Sequence, residues 1–153
     1  MTLGDITSGY WRIAPRGHEH VFDVSLIGEG VLSGNVYLHG QHDGENQQFR
    51  FVAAEDGYYR IEGRHDGTVL SVRLDYADEI PNNVCLLERQ DSDNQLFRLE
   101  EANTGEDAGP YFAIIAKYAD LALCIEEFTL PDGRQRLNIV ARPDRNLFAL
   151  KRA

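Results

Sequence analysis

Short apolar runs separated by turn-forming residues recur along the whole chain. Apolar residues at every second position indicate half-buried strands, as in Val21–Val24 and Val36–His39. In the second of these runs, Val36 and Leu38 are expected to face a core, and Tyr37 and His39 to face outward. No stretch keeps the 3.6-residue period of an amphipathic helix. The pattern predicts an all-β protein of about twelve short strands.

Two aromatic markers recur about every 50 residues, which is the sequence signature of an internal repeat. One marker opens a strand and the other closes a unit, so the chain is predicted to be one domain of three units, about 8–55, 56–108 and 109–153, with four strands each. The three copies of each marker are expected to be equivalent by threefold symmetry. Trp11 is expected to lie in the core. The opening residues are Trp11, Tyr59 and Phe112; the closing motifs are Asn46-Gln47-Gln48-Phe49, Asn94-Gln95-Leu96-Phe97 and Arg145-Asn146-Leu147-Phe148.

The third strand of each unit is expected at Val36–His39, Val84–Leu87 and Leu137–Val140. This alignment gives Val140 the place that His39 holds in unit one. The acidic stretch from Glu100 to Gly109 joins units two and three and is predicted to be a surface loop.

Twelve short strands in three units resemble the β-trefoil, and the closing N-Q-x-F motif resembles the Q-x-W/F signature of ricin B-type lectins. The resemblance covers essentially the whole chain. It implies carbohydrate binding, with galactose or N-acetylgalactosamine preferred, and no catalysis. It also implies that the sugar site uses an Asp on the second strand, an aromatic residue ending the third strand, and the Asn before the motif Gln. In unit one these positions hold Asp23, His39, Asn46 and Gln47.

The residue types suit a sugar site. A carboxylate accepts hydrogen bonds from two neighbouring hydroxyls, and a flat ring covers the C–H face of a pyranose. His39 is smaller than the Trp or Tyr usual at its position, so Tyr37 or His42 is a candidate to supply the ring. Strand alternation directs Asp23 away from the core, and its loss is expected to cost little stability. Ser71 and Leu87 in unit two, and Cys124 and Val140 in unit three, replace the acid and the ring.

Two other interpretations remain open. The Asn-Gln pairs can serve only to satisfy buried backbone groups, since Asn94-Gln95 persists in a unit without the other site residues. The chain can also be a β-trefoil protease inhibitor or another protein-binding module that uses exposed loops. Candidate loops for that function are Asp75 to Glu79 and Glu100 to Gly109.

Enzymatic and metal-dependent functions find little support in the sequence. The carboxylates form no marked pair of the kind that a glycosidase needs, and no phosphate-loop or serine-hydrolase motif occurs. His18, Glu19, His20, His39 and His42 are candidate metal ligands by residue type, but the first three fall in a turn without a cysteine partner. We therefore expect a non-enzyme that needs no cofactor or metal.

Net charge limits the classes of expected partner, and cysteine content bears on the expected cellular location. A formal net charge of −10 on 153 residues argues against nucleic acid and anionic membrane surfaces, and no apolar run is long enough to insert into a membrane. Glycans are the expected partner, with a homo-oligomer possible. The two cysteines, Cys85 and Cys124, fall in different units and are expected to stay unpaired. With no recognisable signal peptide, this indicates a cytoplasmic protein.

Overall fold

Twelve strands form the protein in the computed structural model, which describes residues 5–102, 110–130 and 132–153. Within these described ranges, four of the connections between strands contain a 3-10 helix, at Gly30–Leu32, Glu45–Gln47, Asp93–Gln95 and Tyr118–Asp120. Among the described residues there is no helix long and apolar enough to span a membrane. The strands are β1 (Trp11–Pro15), β2 (Val21–Val24), β3 (Val36–His39), β4 (Phe49–Ala53), β5 (Tyr59–Gly63), β6 (Val69–Val72), β7 (Val84–Leu87), β8 (Phe97–Ala102), β9 (Tyr111–Ala116), β10 (Ala122–Thr129), β11 (Gln135–Arg142) and β12 (Phe148–Arg152).

Six strands close a barrel and six form three hairpins that cap it. The first and fourth strand of each unit pair around the barrel in the order β1, β4, β5, β8, β9, β12 and back to β1. The second and third strands form the hairpins β2–β3, β6–β7 and β10–β11. This is the β-trefoil arrangement, and the fold predicted from the repeat is confirmed.

The aromatic markers hold equivalent positions in the barrel. Trp11 pairs with Phe49, Tyr59 with Phe97, and Phe112 with Phe148 across neighbouring strands, as the repeat predicted. Trp11, Phe49, Phe97 and Phe148 are buried in one core that also holds Phe22. The ring of Phe22 packs edge-on against those of Phe148 and Phe49, at centroid distances of 5.3 and 6.3 Å. Burying a side chain of this size stabilises the fold by about 1.5–3 kcal/mol.

A ring of three buried asparagines joins the hairpins at the pseudo-threefold axis. Asn35 Nδ2 donates to Asn138 Oδ1 (2.7 Å), Asn138 Nδ2 to Asn83 Oδ1 (2.8 Å), and Asn83 Nδ2 to Asn35 Oδ1 (2.8 Å). Within the ring each amide therefore gives one hydrogen bond and receives one, which offsets the cost of burying it. The ring shows that Ile139, not Leu137, corresponds to Val36. The sequence alignment of the third strand of unit three was therefore wrong by two residues, and Arg142 rather than Val140 matches His39.

Cation–π contacts tie each unit to a neighbour. The guanidinium or ammonium groups of Arg16, Arg64 and Lys117 lie over the rings of Tyr111, Tyr10 and Tyr58, at 5.4, 4.5 and 5.5 Å. The three cations thus occupy equivalent places and each one reaches a tyrosine of another unit. Such contacts stabilise by about 0.5–1 kcal/mol at exposed sites.

The connection between units two and three begins later in the chain than predicted. The loop was expected to begin at Glu100, but β8 continues through Ala102 in register with Tyr111 of β9. The remainder of that predicted loop, residues 103–109, lies outside the described residues.

Candidate carbohydrate site in unit one

Asp23 lies in the middle of β2, opposite Tyr37 of β3. Its strand neighbours Phe22 and Val24 face the core, so its side chain leaves the opposite face as predicted. However, only 3 % of Asp23 is exposed. The expectation of a carboxylate that can be removed at little cost is therefore wrong, because a buried charge depends on the hydrogen bonds around it.

Two amides from the 3-10 turn Glu45–Gln47 hold the carboxylate. Asn46 Nδ2 donates to Asp23 Oδ1 at 3.0 Å, and Gln47 Nε2 donates to Oδ2 at 2.8 Å. Hydrogen bonds to a charged acceptor are worth about 1.5–3 kcal/mol each. They compensate for the burial of Asp23 and fix both of its oxygens in place.

Gln47 lies beneath the site and has no exposed surface. Its Nε2 also donates to the carbonyl of Gly40 at 2.9 Å, and its Oε1 accepts from the backbone N–H of His42 at 2.9 Å. The side chain therefore fastens the loop from Gly40 to His42 under the carboxylate. In this conformation Gln47 positions Asp23 and the loop, which agrees with the interpretation that the Asn-Gln pairs satisfy buried backbone groups. A direct contact between Gln47 and sugar stays a prediction.

Unit two contains the same amide frame. Gln95 Nε2 donates to the carbonyl of Glu88 (2.9 Å), and its Oε1 accepts from the N–H of Gln90 (2.6 Å). Asn94 Nδ2 donates to the carbonyl of Val72 (3.0 Å), as Asn46 does to that of Val24 (3.1 Å). The frame thus serves the fold in both units, and it acquires a carboxylate only in unit one.

Three rings surround the outer side of Asp23. His42 Nε2 lies 3.4 Å and His39 Nδ1 lies 3.9 Å from Asp23 Oδ2, and both imidazoles are about half exposed. The Tyr37 and His39 rings lie at right angles, with centroids 6.2 Å apart. Burial, and then the negative charge of Asp23, raise the pKa of the Tyr37 phenol. All three rings proposed from the sequence therefore border one carboxylate.

Asp23, His39 and His42 are close enough to be compared with a metal site. One potential ligand atom from each lies within 4.8 Å of the others. The backbone N–H of Gly44 donates to His42 Nδ1 at 2.8 Å, so the neutral ring carries its proton on Nε2, facing Asp23. His39 Nδ1 lies 3.1 Å from the carbonyl oxygen of Gly40. Since metal ligation needs an unprotonated nitrogen, the His42 nitrogen that faces Asp23 fits a donor to the carboxylate better than a metal ligand.

Gly44 allows the loop to approach the site. A Cβ at this position would lie 2.6 Å from His42 Cε1 and 2.7 Å from Asn46 Oδ1. Gly40, at the other end of the same loop, has nothing within 4 Å of such a Cβ. Of these two glycines, Gly44 is therefore the one whose place in the loop a side chain would disturb.

The corresponding positions in units two and three lack the site. Ser71 is buried and its hydroxyl donates to the carbonyl of Val69 in its own strand at 2.9 Å. In unit three the position holds Cys124, which is buried and unpaired, as is Cys85. Burial raises the pKa of both thiols, which keeps them protonated.

One neighbour of the site was missed from the sequence. The guanidinium of Arg136, on β11 of unit three, lies 4.4 Å from the centre of the Tyr37 ring. No local sequence pattern signals this contact, because it depends on β11 pairing with β3 through Asn138 and Tyr37.

Comparison with known proteins gives a family match and a set of similar folds. A family model described as ricin-type β-trefoil lectin domain-like matches residues 45–135, more than half of the chain. The match includes Asn46 and Gln47 but begins after Asp23, Tyr37, His39 and His42. No curated protein matches the chain.

Solved structures share the fold along nearly the whole chain. The designed threefold-symmetric protein ThreeFoil is 25% identical, with a TM-score of 0.74, and the match covers 95% of this chain and all of that one. The BEL β-trefoil is 16% identical, with a TM-score of 0.70 and 99% of both chains covered. A Polyporus squamosus lectin, solved with a sialylated glycan, is 15% identical, with a TM-score of 0.64, and the match covers 92% of this chain and 48% of that one.

Proposed function

Since the chain belongs to the ricin-type β-trefoil lectin-like family, we propose that it binds carbohydrate through Asp23 and the rings around it in unit one. Membership supports carbohydrate binding in general, and the arrangement around Asp23 supports this location. Galactose or N-acetylgalactosamine is the proposed ligand, on the strength of the family resemblance.

The observation that carries the proposal is a buried carboxylate held by two amides beneath half-exposed rings. The contact from His42 Nε2 to Asp23 Oδ2, at 3.4 Å, is longer than a normal N–H···O hydrogen bond. A sugar hydroxyl can take the place of His42 and form a shorter, charge-assisted bond to Asp23. The rings of His39, His42 and Tyr37 then offer apolar surface to the sugar ring.

Binding without turnover is the proposed outcome. Asp23 is held as an acceptor by Asn46 and Gln47. Glycoside hydrolysis needs a second carboxyl group across the bond, and among the described residues none is hydrogen-bonded into this network. Affinity for a monosaccharide is expected in the range of about millimolar to tens of micromolar, because a shallow site immobilises few atoms.

A protein-binding function is the second candidate, and one observation favours it. Apolar side chains are exposed on two adjacent cap loops, 25–35 and 73–83; they are Leu26, Ile27, Leu74 and Tyr76. The loops are joined by a hydrogen bond from Arg73 to the carbonyl of Ser33. The second loop contains the stretch Asp75 to Glu79 that the sequence marked for protein binding.

Calorimetric titration with galactose and N-acetylgalactosamine tests the proposal, beside a glycan array and a cysteine-protease inhibition assay. We expect saturable sugar binding that Asp23→Asn abolishes, because the amide replaces one acceptor oxygen with a donor. Absence of binding to any glycan, together with inhibition of a protease, would replace the lectin proposal with the protein-binding one.

A further inference from the structure

The β10–β11 hairpin departs from the threefold symmetry of the cap. Its strands have eight residues each, whereas those of β2–β3 and β6–β7 have four. The additional residues project beyond the cap as a two-stranded arm that ends in the turn before Gln135. The arm belongs to unit three, which has lost the site residues, and it lies beside unit one, which keeps them.

Strand pairing places Arg136 on the same face as the site. β11 runs antiparallel to β3, with Asn138 opposite Tyr37, so continuing this register sets Arg136 beside His39. Side chains two residues apart on a strand share a face, and Arg136 therefore faces the same side as His39 and Tyr37. The stacking of its guanidinium on the Tyr37 ring agrees with this placement.

A cavity of about 310 Å³ lies between the arm and β3. This volume is at the lower end of the range for small-molecule sites. The lining contains cationic and titratable basic groups but no carboxylate, although the chain as a whole has 25 acidic and 15 basic residues. It consists of His20, Leu38, His39, Arg134, Gln135, Arg136 and Leu137.

The two arginines of the cavity differ in their partners. Arg134 is paired with Asp132, with Nε and Oδ2 at 2.7 Å. Arg136 has no carboxylate within 4.0 Å among the described residues, although Asp132 is near: hydrogen bonds from Arg134, and then the charges of Arg134 and Arg136, lower the pKa of the Asp132 carboxyl. The Arg136 guanidinium lies over the Tyr37 ring and is hydrogen-bonded to Tyr37. A guanidinium has five N–H donors, so the remaining ones can bind a carboxylate or sulfate group.

We propose that the arm of unit three forms an anion subsite, so that the ligand of the unit-one site is an acidic glycan. A sugar over Asp23 would carry its carboxylate or sulfate group into the cavity, where Arg136 binds it and His20 and His39 line the walls. This inference rests on the proposed function, because it assigns the substrate class of that same site.

Titration of lactose, 3′-sialyllactose and 3′-sulfolactose at low ionic strength tests the subsite and separates the two sources of negative charge. We expect at least one acidic ligand to bind about tenfold more tightly than lactose, with the difference shrinking as NaCl is raised. Arg136→Gln should remove that difference while reducing lactose affinity by no more than about threefold, since a neutral sugar makes no charged contact there.

Arg142→Gln is the matched control. Arg142 lies on the same strand, but its guanidinium is paired with Glu126, so this variant should keep the preference for acidic ligands. Equal binding of lactose and both acidic ligands by the wild type, or a preference that survives Arg136→Gln, would overturn the subsite and leave the lectin function standing. If none of the three ligands binds, the subsite fails together with the proposed preference for galactose, and the glycan array decides whether the carbohydrate-binding function fails as well.

Discussion

At the position where unit one has Asp23, unit two has Ser71, and both side chains are buried on the same strand of equivalent hairpins. Below them, Gln47 and Gln95 make the same two hydrogen bonds to the loop backbone. The two units therefore share a frame and differ in what the frame holds. In unit two the serine hydroxyl turns back to its own strand, and the frame carries no charge.

This difference separates two kinds of signal in the sequence. The Asn-Gln pair reports the fold, because it fastens the turn before β4 or β8 whether or not a site is present. The acid on the second strand indicates the site. Burying a carboxylate costs free energy, and unit two reaches the same fold without one. Variants at the two equivalent sets can show whether the separation is real.

The largest effect is expected from making unit one resemble unit two. Asp23→Ser should abolish detectable sugar binding, because a weak site cannot lose two charge-assisted hydrogen bonds of about 1.5–3 kcal/mol each. It should also lower the free energy of unfolding by about 1–3 kcal/mol, since Asn46 and Gln47 each lose an acceptor. Titration calorimetry and urea unfolding measure the two quantities.

Ser71→Ala is the control for Asp23→Ser. It removes one hydrogen bond to the carbonyl of Val69, which should cost about 1 kcal/mol and leave sugar binding unchanged. Undiminished binding by Asp23→Ser would mean that the sugar site lies elsewhere.

The next effect tests the shared frame itself. Gln47→Ala and Gln95→Ala each remove two hydrogen bonds between a buried amide and the backbone, so each should destabilise the fold by about 2–3 kcal/mol. Gln47→Ala should cost about 1 kcal/mol more because it also frees Asp23 from a donor.

Sugar titration distinguishes the two glutamine variants further. Only Gln47→Ala should weaken binding, since Gln95 lies in a unit without a carboxylate. Equal loss of binding in both variants would indicate a general effect on the fold and would remove the distinction between frame and site.

The fold was predictable because its signals are local and repeated three times. Aromatic spacing alone placed Trp11, Tyr59 and Phe112 at equivalent points, and alternation placed Val36 and Leu38 in the core. The alignment of Leu137 with Val36 was wrong because β11 is four residues longer than β3. The signal for the correct register is an asparagine before a β-branched residue in each unit, at Asn35-Val36, Asn83-Val84 and Asn138-Ile139. The structural reason for this repeat is the ring that the three asparagines form.

The sequence predicted which residues meet at the candidate site better than it predicted their burial and contacts. Alternation gave the direction of the Asp23 side chain but not its burial, which depends on a turn 23 residues further along the chain folding back over it. Arg136 could not be placed beside Tyr37, because that contact joins units one and three across the cap. Such long-range contacts follow from topology and leave no mark on the local pattern.

The smallest effect concerns the loop that carries His42. At the position of Gly44, unit two has Ser92, and at the position of His42 it has Gln90. Unit two thus accepts a Cβ where unit one does not, because in unit one the atom would meet the His42 ring and the Asn46 amide. Gly44→Ala should displace both side chains and lower sugar affinity by about three- to tenfold, while the free energy of unfolding falls by less than about 1 kcal/mol. Gly40→Ala, with open space around the added methyl group, should leave affinity and stability unchanged. If both variants bind sugar as the wild type does, the position of His42 does not matter for binding, and the site reduces to Asp23, His39 and Tyr37.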